Sequence, residues 1–317
     1  MNTIQMFRII ILFSFLGIFS SHAQQEPVLD QFWNGYSYQN PATTAMDYKL
    51  HSTVQYKSNF KGGSDALLGT FGLAINNKHS IGFNYLSTPS GKNKSFSINT
   101  GNLNYNYKFH FSDSITHFLS VGIGIGIGYV ERYHNYGYLI PVSTQSSFLY
   151  PSSYTSYSFF PKLNAGITYR FKNLFFGTGV TQVTKNFLAR TTGTNDYQPN
   201  PMLYVMSSLD IKIVNNLHLK PQILFNYINK NYYYTHANLM VTLFKNYSIG
   251  ASYWFGNPVY FTDFNGNSNT KLLSDFQLNT QVDIKTKFRI GYSIGNLKNL
   301  KTFPNVFHEI TLGFLLK

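Results

Sequence analysis

The chain has 317 residues, of which 18% are aromatic and only 12% charged, about half the usual charged share for a soluble protein. It contains no cysteine, which excludes disulfides, thiolate metal sites, a Cys nucleophile and a lipid anchor on Cys. The net charge of +13 comes from Lys and Arg scattered singly near turns; no cluster has the density for nucleic acid, so anionic lipid headgroups or an acidic partner fit the balance better.

Residues 1–23 read as a secretory signal: Arg8 is the positive n-region, Ile9 to Phe19 the apolar run, and Ser21-His22-Ala23 an A-x-A-like cleavage site. The run is too short to span a bilayer, and no later stretch is long and apolar enough. The mature chain is expected to begin near Gln24, outside the cytoplasm. Residues 24–49 show no strand pattern, and Asn40-Pro41 reads as a turn. This segment either plugs a barrel, with Phe32 and Trp33 packed on its wall, or reaches toward a periplasmic partner.

From residue 50 onward, period-two runs predict fourteen strands, near 50–58, 65–76, 79–87, 97–109, 118–131, 162–171, 174–183, 201–213, 217–227, 235–244, 247–255, 274–284, 287–295 and 307–316. Phe288/Ile290/Tyr292/Ile294 and Ile310/Leu312/Phe314/Leu316 are clear examples. In "VGIGIGIGYV" (121–130) the glycines alternate with isoleucines. The spacing misses the dinucleotide pattern G-x-G-x-x-G. It fits a strand with large residues toward lipid and a bare face close to another backbone or a packed interior.

The connections alternate. Asn76-Asn77-Lys78, Lys172-Asn173, Val214-Asn215-Asn216, Lys245-Asn246 and Lys285-Thr286 are tight turns, whereas 88–96, 132–161, 184–200, 256–273 and 296–306 are longer. The connection "HFSDSITH" is long for a turn. Short turns at one end and long loops at the other are the plan of a transmembrane antiparallel outer-membrane β-barrel, with both chain ends on the periplasmic side. A soluble sandwich or propeller shares the short strands, but not this alternation, aromatic excess and low charge. The expected division is signal 1–23, N-terminal periplasmic or plug segment 24–49, and barrel 50–317.

No pair among the twelve carboxylates has acid–base spacing, and the nine histidines show no metal pattern. No catalytic, cofactor or metal site is therefore expected, and a barrel lipase or protease lacks a triad. Residues 133–161 hold no Asp, Glu, Lys or Arg, but nine Tyr or Phe and seven Ser. Tyr with Ser is a binding-surface composition. Read as a loop, this stretch either contacts a partner polypeptide through Tyr150, Tyr154, Tyr157 and Phe160, or folds inward to plug the barrel mouth.

The segment "QEPVLDQFWNGYSYQNPATTAM" resembles the mature start of the PorP/SprF family of the Bacteroidetes type IX secretion system, matching at Gln25, Glu26, Pro27, Gln31, Phe32, Asn40, Pro41 and Ala42. Thr43-Thr44-Ala45 departs from the family's usual continuation. "LHLKPQILFNY", "SIGASYWF", "FRIGYSIGNL" and "HEITLGFLLK" are similar to later strands of that family. The resemblance implies an outer-membrane barrel of a Gram-negative bacterium, without enzymatic activity, supporting type IX secretion and gliding motility. It also implies partners: a large adhesin-like secreted protein carrying a type IX C-terminal domain, or periplasmic secretion and motility components. The rival is a porin or small-solute transporter. Its lumen should carry charges, whereas strands 5 and 11 offer Gly, Ser and Ala, which fits a narrow or filled interior.

Overall fold

The computed structural model describes residue 29 and residues 31–59, 65–88, 96–111, 116–140, 148–183, 201–229, 232–257, 273–295 and 306–317, with backbone alone over 132–156. The expected signal segment lies outside the described residues. The strands are β1 (Leu50–Asn59), β2 (Ala66–Ala74), β3 (His79–Thr88), β4 (Phe96–His110), β5 (His117–Ile140), β6 (Phe148–Phe171), β7 (Leu174–Thr181), β8 (Met202–Leu209, resuming as Ile211–Val214), β9 (Leu217–Asn229), β10 (Tyr232–Leu243), β11 (Tyr247–Asn257), β12 (Leu273–Ile284), β13 (Phe288–Gly295) and β14 (Phe307–Leu316). Every strand pairs antiparallel with its sequence neighbours, and β14 returns to β1 from Leu50↔Leu316 to Asn59↔Phe307. The sheet is a closed fourteen-stranded barrel, so it has no free lateral edge. β8 is interrupted at Asp210, where both halves still pair with β9.

The barrel is apolar outside and polar inside. Ile127 is 68% exposed and Leu103 62%, while their inward neighbours Asn102 and Asn104 are buried. Water would penalise such isoleucines, whereas a hydrocarbon surround removes the penalty, and closing the sheet pairs backbone groups within it, as a membrane span requires. Inside, β9–β13 carry an uncharged ladder: Asn238 donates to Gln222 (2.7 Å), Ser252 to Asn238 (2.9 Å), and Ser293 to Asn279 (2.6 Å). Tyr253 faces outward and is 40% exposed. Among the described residues no helix is long and apolar enough to cross a membrane.

Two connections differ from the sequence reading. "HFSDSITH" spans less than its length implies, because β4 runs to His110, β5 starts at His117, and the Phe111 N–H donates to the His117 carbonyl. The stretch 133–161, read as a loop, is largely strand: β5 and β6 pair without interruption from His117↔Phe171 to Ile140↔Phe148. Each has 24 residues, roughly 80 Å of strand against an apolar band about 25 Å tall, so the hairpin projects well past the loop end.

Candidate functional site

Residues 31–48 lie against the inward face of the barrel wall. Three short helical turns, Phe32–Asn34, Tyr36–Gln39 and Pro41–Thr43, fold the segment. The last has a sequence cause. Asn40, held extended by the following proline, accepts the Ala42 N–H on its side-chain oxygen (2.9 Å), and Pro41 takes the first helical position. The segment runs from the loop half, where Leu29 clusters with Ala66, Leu68 and Leu86, to Lys49 at the turn end.

Polar groups fasten it to the wall on all sides. Toward β1 and β14, the Gln31 N–H donates to Glu309 Oε1 (2.9 Å), and Gln55 Nε2 donates to the Gln31 carbonyl (2.9 Å). Toward β12 and β13, Arg289 holds Asp283 through two nitrogens and donates to Asn34 Oδ1 (2.9 Å). Trp33 Nε1 donates to Gln281 (3.4 Å). Toward β3 and β4, Ser37 and Asn84 exchange hydrogen bonds, Asn106 donates to the Thr44 carbonyl (2.6 Å) and Lys108 to the Ala45 carbonyl (3.0 Å). Toward β6, Asn40 Nδ2 reaches Thr168 Oγ1 (3.0 Å) and the Ile167 carbonyl (3.2 Å), and Asp47 pairs with Arg170. These bonds satisfy segment backbone groups that would be unpaired inside a barrel.

Apolar groups complete the seat. Phe32 is buried with Phe175, Met202, Tyr204, Met206 and Leu224, and Trp33 and Tyr36 pack on that cluster. Burial pushes the Tyr36 hydroxyl pKa up, so it stays neutral and accepts from Gln222 (3.4 Å).

Glycines make the room. A β-carbon at Gly122 would overlap the Pro41–Ala42 backbone, at Gly166 the Asn40 amide, at Gly179 the Gln39 carbonyl, at Gly82 the Thr44 methyl, and at Gly291 the Gln31 amide. On the bare face of "VGIGIGIGYV", Gly122 is thus where the segment rests. Its upper glycines serve the wall itself: a β-carbon at Gly128 would enter the Phe160 ring.

The residues predicted for binding separate into three groups. Phe32 and Trp33 are in the seated segment. Tyr157 and Phe160 lie on opposite faces of β6, Tyr157 57% exposed and stacked on Tyr129 (5.8 Å), Phe160 buried with Ile98 and Val130. Tyr150 and Tyr154 are on the projecting part of β6, opposite Tyr138 and His134. Phe160 is therefore a brace inside the barrel and cannot share a docking surface with Tyr157. Phe160→Ala is expected to destabilise the barrel by about 3–5 kcal/mol. Tyr157→Ala is expected to stay within about 0.5 kcal/mol. Urea unfolding in detergent micelles compares them.

Asn40, Gln55 and Glu309 were not singled out from sequence as fasteners. On β14, His308 meets the outward Tyr292 (2.6 Å) while Glu309 is buried. Among the described residues no group of His, Asp and Glu is placed to hold a metal.

The family model described as "Type IX secretion system membrane protein PorP/SprF" matches residues 21–314. Among curated proteins, none matches the chain. Solved structures with a similar fold include a Pseudomonas aeruginosa FadL homologue (11% identity, 90% of this chain and 94% of that chain, TM-score 0.52) and the CymD monoaromatic hydrocarbon channel (9%, 91% and 92%, 0.52). The Acinetobacter baumannii outer membrane protein Omp33 is also similar (8%, 86% and 100%, 0.48). At these identities the likeness concerns the barrel fold alone.

Proposed function

The chain belongs to the PorP/SprF family of type IX secretion system membrane proteins, and from that premise we propose that this outer-membrane barrel binds, helps export or anchors a large secreted adhesin-like protein at the cell surface, as part of the secretion and gliding machinery. The seated segment carries the reading. A lumen crossed by residues 31–48 and hydrogen-bonded to them from β1, β3, β4, β6, β13 and β14 supports a role other than passing a polypeptide. Such a barrel serves by holding partners at its faces.

The outer face offers the β5–β6 hairpin, uncharged over 133–161 and rich in Tyr and Ser. On this reading the hairpin takes the C-terminal domain of the secreted protein, with Tyr150, Tyr154 and Tyr157 as anchors and Phe160 bracing the hairpin base from within. Residues 136–152 can be replaced by an Asn-Gly turn that keeps the remaining β5–β6 register, with Tyr154 and Tyr157 changed to Ala in the same variant. The barrel is expected to fold, as judged by heat-modifiable gel migration, while the large secreted protein moves from the cell surface to the medium. Unchanged surface retention with a folded barrel would sink the proposal.

A further inference from the structure

Topology gathers lysines that are dispersed in the sequence. The hairpin turns and the resumed part of β8 bring Lys78, Lys172, Lys212, Lys245, Lys285 and Lys287 to the turn end, all exposed. Exposed Lys49, just before β1, and Lys317, just after β14, lie at the same end. The carboxylates described there are already matched: Asp47 with Arg170, Asp210 with His218, and Asp283 with Arg289. Asp113 belongs to a turn outside the described residues. What this end presents is a ring of lysine ammonium groups around a mouth filled by the seated segment.

A second observation concerns which residues occupy the turns. The Leu243–Asn246 and Ile284–Lys287 turns close on hydrogen bonds of 3.2 and 3.0 Å, and both central residues of each have positive φ: Phe244 (52°) and Lys245 (66°), Lys285 (50°) and Thr286 (56°). Lys172 also has positive φ (52°). Asn-Gly is the residue pair that such turns favour, because φ > 0 crowds a β-carbon. Lys172, Lys245 and Lys285 thus stand where turn geometry alone would choose glycine or asparagine, as do Phe244 and Thr286.

We propose that this lysine ring is a docking surface for an acidic face of a periplasmic protein. The inference rests on the reading of the chain as a component of a larger machinery. Anionic lipid headgroups share the charge, but lysines on the outward strand faces would serve them without strained turns. These apex lysines lie beyond an outward aromatic belt that includes Phe111, Phe171, Tyr247, Phe288 and Phe314. Complementary charge of this kind steers association and fixes the partner, and it weakens with salt.

The test couples lysine amines directly to carboxylates, using a water-soluble carbodiimide on native outer-membrane fragments carrying the full chain. Peptides from Lys245, Lys285 or Lys287 are expected to be joined to Asp or Glu of a second polypeptide, and less so in high salt. Changing Lys78, Lys245, Lys285 and Lys287 together to Gln should lower co-purification of that polypeptide by about tenfold, while the matching Lys→Arg variant keeps it. Heat-modifiable migration checks that both variants fold. Parental co-purification with the Gln variant, or no inter-protein product at these lysines, would overturn the inference. Bound anionic phospholipid that falls in the Gln variant, without protein products, would assign the ring to headgroups instead. Surface release of the secreted protein with the cross-links intact would count against neither; retention after hairpin removal with cross-links intact counts against the anchoring proposal alone.

Discussion

In a Gly166→Val variant, the Asn40 side chain is expected to leave its place on β6 and the seated segment to loosen. The glycine has no room for a β-carbon against the Asn40 amide. Asn40 is also where the segment's last helical turn is capped and where it grips Thr168 and the Ile167 carbonyl. Overpacking of this kind costs about 1–3 kcal/mol. It falls on the contact between segment and wall, because the strand pairing Gly166↔Gly122 and Gly166↔Gly179 tolerates valine in its backbone.

The absence of native cysteine gives a clean readout. Thr44 is fully buried and its hydroxyl makes no hydrogen bond, so Thr44→Cys removes nothing polar that the seat needs. In an otherwise unaltered chain this thiol should react slowly with a soluble maleimide. Adding Gly166→Val should speed labelling by about 5–30-fold for each 1–2 kcal/mol lost. Equal rates would mean that Asn40 does not hold the segment.

The second large effect is expected at Arg289. Its guanidinium bridges Asp283 on β12 to Asn34 in the segment, with Tyr48 at 3.5 Å. Arg289→Met would leave the half-buried Asp283 carboxylate without its cation and Asn34 Oδ1 without its donor. The expected loss is about 2–3 kcal/mol, the range for hydrogen bonds to charged groups. Arg289→Lys should recover little, since one ammonium cannot span both partners in the planar fork. Urea midpoints of the three proteins in the same detergent decide this. A lysine variant as stable as the parent would show that charge alone, without the fork, fastens this side.

Most of the barrel was legible because lipid imposes a simple rule on its residues. Where a strand crosses the apolar band, alternate residues must be apolar, and Phe288/Ile290/Tyr292 and Ile310/Leu312/Phe314 state this openly. The rule lapses where the strand leaves the band. Residues 133–140 and 148–156 continue β5 and β6, but their Tyr, Ser and Thr show no apolar alternation, and only their pairing identifies them as strand.

The seated segment was half legible. The glycine face of β5 announced that something lies close, but not which chain segment does. That depends on bonds between distant residues, such as Asn40 with Thr168 and Gln31 with Glu309, which no local pattern encodes. The lysine ring was invisible in sequence for the same reason. Single lysines at separate turns become one surface only when the barrel closes.

The central claim is that the chain closes its own lumen and acts through its faces. Planar-bilayer recording of the full-length protein, inserted from mild detergent, tests it most directly. The account predicts membranes that stay electrically silent after insertion is confirmed. Steady conductance of the intact protein would contradict it, and would mean that the barrel works as a pore.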